Sequence, residues 1–400
     1  MTVRNHVEFN KSFILSICLL MVPLIQFGTD LYSPSLPILA TYFNVSNNQI
    51  RNTVSIYLLS MAFIPIFAGV ISDQIGRRIV YLVGIFFFMI GSVLCIISSS
   101  LKIMLIGRLL QGVGAACSTV IIRSILRDLY EGNELLKSYA YYTSIWGVAI
   151  CIGPFIGGVI QHFFKWQYSF YLLFLYSAFL WLVFFFKIPE TSNKKNNHIN
   201  IRIILKNYKN VFKNKNAISA MILGGGSATS IIAFVTLAPF IIQQKFHQSS
   251  FFYGNVALIV GLSIALTPYV NNWLINFFSP ITIIKNSLYT NLILLLFAVF
   301  LPYSQTSILF ILVISAISLF LCVLISVNAI GIALKPFRDT IGYASAIQSL
   351  IVWGIPTLAI TIFHFFRELE NPKSLIIIFI TIILFNIVVL QTNLKRLTTI

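Results

Sequence analysis

Residues 69–78 read Gly69-Val-Ile-Ser-Asp73-Gln-Ile-Gly76-Arg77-Arg78, a short charged stretch set between two long apolar runs. Two glycines, an aspartate and paired arginines are compressed into a segment too short to be a domain. Such a segment must turn tightly between two membrane helices and fasten them electrostatically. Asp73 can cap a helix N-terminus or accept from Arg77, and Asp128 in the facing loop offers Arg77 a second acceptor. Gly69, Asp73, Gly76, Arg77, Arg78 and Asp128 are therefore read as a conformational switch that holds one side of the protein shut and then breaks. A purely topogenic set of charges is the rival reading.

The composition around this stretch requires a membrane. The 400-residue chain is 58% hydrophobic and 9% charged, with mean hydropathy +0.91, more apolar surface than one soluble core hides. Apolar runs of spanning length fall at roughly 12–41, 51–72, 79–98, 102–126, 139–161 and 169–188, then at 217–243, 251–275, 281–303, 305–334, 341–364 and 373–392. The expected fold is an all-α polytopic membrane protein with twelve transmembrane helices in two six-helix bundles, residues 1–188 and 217–400. Between them lies a Lys- and Asn-rich segment, 189–216, read as a solvated cytoplasmic linker. Phe13–Gly28 continues into Asp30-Leu-Tyr-Ser-Pro without a small-residue cleavage site, so it reads as a retained first helix.

Charge distribution sets the orientation. Of the 27 basic residues, twenty fall on the side of the termini and linker, six on the other, and Arg108 within the membrane. The positive-inside rule places both termini in the cytoplasm. The net charge of +17 forms no basic face interleaved with aromatics, so nucleic acid is not an expected partner. The five cysteines lie inside apolar runs and the five histidines are scattered. Neither set suggests a disulfide framework or a metal site. The hairpin at Asn271–Lys285 occupies the place that mirrors 69–78, but lacks its aspartate and arginine pair.

Among ten carboxylates only Asp30 lies within a membrane run. A charge at that depth costs at least ~2.5–3.5 kcal/mol on insertion scales, so it needs a partner or a cavity. Arg108, about 9 Å inward from Lys102 along its helix, lies at similar depth. The functional reading places Asp30 and Arg108 on one central cavity as a proton-coupling pair. The alternatives are a static buried ion pair, or an Asp30 that snorkels to the interface.

Several segments then converge on one family. Thr29-Asp30-Leu-Tyr-Ser-Pro-Ser-Leu-Pro37, Arg108-Leu-Leu-Gln111-Gly112-Val-Gly114, Ile122-Arg123 through Arg127-Asp128, and Gly342-Tyr-Ala-Ser-Ala346 resemble bicyclomycin-resistance-type drug/proton antiporters of the major facilitator superfamily. The 69–78 stretch resembles that superfamily's signature loop between helices 2 and 3. Gly153-Pro154-Phe-Ile-Gly157-Gly158 resembles the antiporter motif of its exporters. Pro65 and Trp166-Gln167 depart from the pattern, and the likeness is thin in the second half.

The resemblance implies a proton-coupled exporter of small amphipathic compounds working by alternating access, or a dedicated metabolite or siderophore exporter of the same fold. It implies a cavity lined by helices 1, 4, 7 and 10, with Tyr32, Gln111, Ser227 and Asn328 as substrate-binding candidates. Asp30 is then the evident site for a proton or a cationic drug. No cofactor is expected. The expected partners are a small-molecule substrate, protons and membrane lipids, for a monomer in the bacterial inner membrane. An embedded enzyme is disfavoured, because the outer loops are short and nearly free of acids.

Overall fold

The computed structural model describes residues 11–191, 201–300, 308–363 and 371–397, excluding the side chains of 136, 201, 311, 338–339 and 393–397. Lys194, Lys195, Glu8, Glu368 and Glu370 lie outside the described residues, as do the ends of several of the expected spans. Every regular element described is helical. In order these are α1 (Lys11–Asp30), which passes through a 3₁₀ turn into α2 (Leu36–Tyr42), then α3 (Asn47–Ile75), α4 (Arg77–Ile96), α5 (Leu101–Leu129), α6 (Gly132–Phe163) and α7 (Gln167–Lys187). There follow α8 (Ile201–Lys213), α9 (Lys215–Phe240), α10 (Ser250–Leu274), α11 (Pro280–Val299), α12 (Ile308–Leu334), α13 (Ile341–Phe363) and α14 (Pro372–Leu397). Twelve helical stretches are long and apolar enough to cross a membrane, α1 and α2 together forming the first. The chain is an all-α, twelve-span membrane protein.

Short polar residues set several boundaries. Ser46 and Gln49 form a reciprocal capping box at the start of α3, Ser46 Oγ accepting from the Gln49 N–H at 3.2 Å. The side chains of Asn214, Ser249 and Ser279 cap α9, α10 and α11 singly, each accepting from the N–H three residues on. The turn at 69–78 is tighter than a loop. Helix α3 runs through Asp73 to Ile75, and Gly76 alone separates it from α4. Its φ of +105° is one that a side chain disfavours, so a single glycine reverses the chain.

Apolar side chains gather in two cores. One runs from Ile14 to Ile188 and admits Ile232, Phe240 and Ile360; the other runs from Val211 to Leu390 and admits Ile150. The two meet most closely where α6 crosses α10. A Cβ on Gly158 would stand 2.9 Å from the Gly254 Cα, and one on Gly261 would stand 2.6 Å from the Cys151 Cα. Gly147 faces Ala265 in the same row, at 3.4 Å. Small residues four and seven positions apart on each helix thus let the backbones touch.

The linker segment contains a feature its composition hid. Helix α8 docks by Val211, which is fully buried in the second core. Tyr208 donates to the Ile66 carbonyl at 2.7 Å and sets its ring edge-on to Tyr343 at 5.1 Å. Burial pushes the Tyr208 phenol up to about 12, so it stays a neutral donor. Lysines and asparagines mask the helical spacing of Ile204, Tyr208 and Val211.

Candidate functional site

The charged cluster at the start of α4 assembles as an intra-half clamp. Arg77 pairs with Asp73 one turn behind it and with Asp128 at the end of α5, the latter at 3.1 Å. Its Nη1 also donates to Ser72 Oγ at 2.6 Å. Arg78 donates to the Phe185 carbonyl and stacks on that ring at 5.6 Å. Asp73 does not cap a helix. That role falls to Glu190, whose two oxygens accept from the backbone N–H groups of Arg77 and Arg78 at 2.9 and 3.2 Å. A Cβ on Gly76 would collide with this carboxylate, so the glycine serves both the turn and the cap. Gly69 is less constrained, since its Cβ would meet only Val120 at 3.8 Å.

The cluster therefore fastens α3, α4, α5 and the end of α7 to one another rather than spanning the two halves. Glu190 lies 113 residues beyond its partner, and no local signal in the hairpin points to it. Glu190→Gln is expected to cost about 1 kcal/mol, since it removes an anion from a helix N-terminus. The check is a lower unfolding midpoint in detergent that Glu190→Asp partly restores.

Asp30 and Arg108 are both buried, at 1% and 0% exposure, but form no ion pair. Asp30 accepts from Gln26 Nε2 at 2.7 Å, while its Oδ1 is buried without a partner. Its flank lies on α6, where a Cβ on Gly153 would stand 3.1 Å from the Asp30 Cβ. Arg108 turns the other way. Its guanidinium lies 4.3 Å from the Tyr32 ring centre and 4.5 Å from that of Tyr57. It donates to Gln111 Oε1 at 2.5 Å and to the Thr53 carbonyl at 3.3 Å, leaving Nη2 without a partner.

Tyr57 connects the two neighbourhoods, since its hydroxyl donates to the Ile25 carbonyl of α1 at 2.7 Å while its ring carries Arg108. Snorkelling of Asp30 is excluded by its burial. Arg108→Lys keeps the charge but loses the planar face and the fork. It is expected to cost about 2 kcal/mol, visible as a lower melting temperature without loss of helical signal.

The glycine motif of α6 falls directly against this region. Gly153 faces Asp30, a Cβ on Gly157 would fall on the Leu31 carbonyl, and Gly158 meets α10. Pro154 lies within the same helix. Two features far apart in the sequence, the buried acid and the Gly153-Pro154…Gly157-Gly158 motif, are thus one packed unit.

The two halves meet unevenly. On the side away from the linker, Asn47 donates to Gln244 at 2.9 Å, Gln243 to the Pro34 carbonyl at 2.8 Å, and Ser33 shares a 3.3 Å bond with Tyr253. Arg51 also covers the Phe240 ring at 4.9 Å. On the linker side a cavity of about 460 Å³ separates the halves. Helices α3, α5 and α6 supply Asp73, Arg123, Arg127, Tyr139 and Tyr142; Tyr208 comes from α8, and Tyr343 and Gln348 from α13.

None of the four substrate candidates lines this cavity. Tyr32 bonds Thr53 at 3.0 Å and carries Arg108. Gln111 is spent on Arg108 and on Ser92 at 2.8 Å. Ser227 accepts from Asn386 at 3.3 Å. Asn328 donates to Asn271 Oδ1 at 2.6 Å, giving the second-half hairpin an amide–amide hydrogen bond where the first has charges. Asp30 is likewise absent from the lining, so a cationic drug in this cavity does not meet it. Arg123, Arg127 and Gly342 were visible as motif positions, but their convergence needed the fold. Among the described residues no group of His, Cys, Asp and Glu gathers as a metal site.

The sequence matches the Major Facilitator Superfamily over residues 18–361. A bicyclomycin resistance protein homolog of Haemophilus influenzae is 32% identical over 58% of this chain and 58% of its own length. Multidrug resistance protein MdtL of Citrobacter koseri is 29% identical over 67% of this chain and 68% of its own. The matches thus span about three-fifths to two-thirds of these relatives. In fold, the inward-open xylose transporter XylE of E. coli superposes with TM-score 0.74 at 13% identity, over 94% of this chain and 95% of that one. A D-xylose-proton symporter does so with TM-score 0.73, also at 13% identity, over 93% of this chain and 96% of that one. With the twelve spans, the charged turn and the α6 glycines in place, the chain belongs to the major facilitator superfamily.

Proposed function

We propose that the protein exports small amphipathic compounds in exchange for protons, by alternating access between halves 1–188 and 217–400. In this reading the linker 189–216 and both termini face the cytoplasm of a bacterium, and the protein sits in its inner membrane. The observation that carries the reading is the uneven cleft: a 460 Å³ cavity open to the linker side, opposite a hydrogen-bonded seal. A chamber with one closed end is what one state of an alternating-access cycle requires. The excess of basic residues on the linker side supports its cytoplasmic placement.

Asp30 and Arg108 are the proposed coupling residues. The orphaned Oδ1 of Asp30 is where a proton resides, and the carboxyl sits at the end of α1 against α6, the helix whose glycines pack on α10 of the other half. Arg108 acts through Tyr57 and Tyr32 rather than by direct pairing. The Arg77 clamp keeps the first half rigid while it rocks, with Gly69, Asp73 and Arg78 at its moving edge. Names of the relatives favour drug export over metabolite export.

The test is transport in proteoliposomes, over a panel of antibiotics, with and without an imposed pH gradient. Accumulation that follows the gradient is the expected result. Accumulation of none of the panel in response to either sign of gradient removes the reading.

A further inference from the structure

The linker-side cavity has a charge sign that its candidate role does not explain. The charged side chains lining it are Arg123, Arg127 and Asp73. Asp73 is already held by Arg77. Asp128, whose field reaches Arg127, also gives its hydrogen bond to Arg77. Among the described residues neither Arg123 nor Arg127 meets a carboxylate. The Arg123 guanidinium lies 5.7 Å from the Tyr142 ring centre. Arg127 spends Nε on the Arg123 carbonyl at 3.3 Å and Nη2 on Ser124 Oγ at 3.2 Å. Its Nη1 extends across the cleft, 3.7 Å from where a Cβ on Gly342 would stand.

A second observation points into the same space. Gln348 of α13 is 6% exposed, lines the cavity, and has an Oε1 with no partner. A buried amide left unsatisfied in a cavity wall marks a place where a ligand completes the bonding. Around it stand the rings of Tyr139, Tyr142, Tyr208 and Tyr343, suited to a flat apolar body.

We propose that this cavity selects organic anions: an aromatic body of about two rings whose carboxylate lies between Arg123 and Arg127 and whose polar edge meets Gln348. Guanidinium forks match carboxylates geometrically, and in a walled cleft their excess charge concentrates anions. An inside-negative membrane potential then drives such a substrate outward. The inference rests on the reading of this cavity as the substrate chamber, and it names the substrate's charge class.

Three isosteric probes test it by equilibrium binding to the purified protein in detergent: 1-naphthoate, 1-naphthamide and 1-naphthylmethylammonium. Naphthoate is expected to raise the melting temperature at about one-tenth the concentration that the amide needs, and the cation to give no shift. Arg123→Gln and Arg127→Gln are each expected to weaken naphthoate about tenfold while leaving naphthamide unchanged, with unliganded melting temperatures confirming the fold. Gln348→Leu is expected to leave naphthoate unchanged, because naphthoate carries no donor for the orphaned Oε1, and to weaken 6-hydroxy-1-naphthoate, whose hydroxyl can donate to it. Equal or tighter binding of the cation, no shift with naphthoate, or wild-type affinity in both arginine variants overturns the proposal. These measurements need no gradient, so a failure here leaves proton-coupled export standing, whereas a failure of gradient-driven transport leaves the charge preference standing.

Discussion

Replacing Asp30 by Asn is expected to bring gradient-driven transport down to the level of empty liposomes while leaving the protein folded and able to exchange substrate downhill. The substitution is nearly isosteric, and the side-chain oxygen that accepts from Gln26 Nε2 at 2.7 Å is retained. Nothing larger is pressed against Gly153, which leaves no slack on that side. What disappears is the one carboxyl that, among the described residues, is buried within the spans with a free oxygen to take up and release a proton. Asp30→Glu tests the geometry separately. The Asp30 Cβ and Phe27 Cδ1 already stand 3.1 and 3.3 Å from where a Cβ on Gly153 would be, so the extra methylene must displace Phe27 or α6, and the variant is expected to retain coupling at a reduced rate. Wild-type accumulation in the Asn variant would remove Asp30 from the coupling step, and the exporter would need another proton carrier.

Much of this architecture was legible because hydropathy reports membrane depth directly. The twelve runs became twelve spans, whereas the polar break does not bound the two cores cleanly, since Val211 from within it belongs to the second. Depth along a helix says nothing about direction around it, which explains why the Asp30–Arg108 pairing did not form. The two residues do lie on membrane helices, but Arg108 faces α1 and α3 through Tyr32 and Tyr57, whereas Asp30 faces α6. A lone acid and a lone base suggest a pair only when their azimuths are known. The rings that hold Arg108 looked like ordinary aromatics among 36 Phe and 17 Tyr.

Long-range partners were hidden for a different reason. Glu190 reads as a tail residue until the end of α7 returns to the start of α4. The row Gly147, Cys151 and Gly158 acquires meaning only opposite Ala265, Gly261 and Gly254, which lie about a hundred residues away in the other half. The α6 glycines were legible as a close-packing motif, since small residues invite backbone contact. Which helix they pack against was not, and that partner gives the motif its consequence.

That partner makes Gly158 a position where one side chain shifts the conformational balance. In the present state its Cα faces Gly254 and the Ser250 carbonyl, and a Cβ would stand 2.7 Å from that oxygen and 2.9 Å from the Gly254 Cα. Both neighbours are backbone and cannot swing aside. Gly158→Leu must therefore push α6 away from α10 on the side opposite the linker, where Gln243–Pro34 and Ser33–Tyr253 close the path. Overpacking of this kind costs about 3 kcal/mol, which is a factor of roughly a hundred in the ratio of the two states. The far-side-open state does not require this contact, so the cost falls on the closed seal. The readout is alkylation of Ser33→Cys by a membrane-impermeant maleimide from the non-linker side. Ser33 is fully buried and the five native cysteines are buried, so labelling should be slow in the parent and much faster once Gly158→Leu is added. Gly261→Leu, which meets the Cys151 backbone further along the same seam, should act in the same direction. Unchanged labelling in both variants would mean that the seal is held elsewhere, and the α6–α10 seam would then be a fixed hinge rather than a gate.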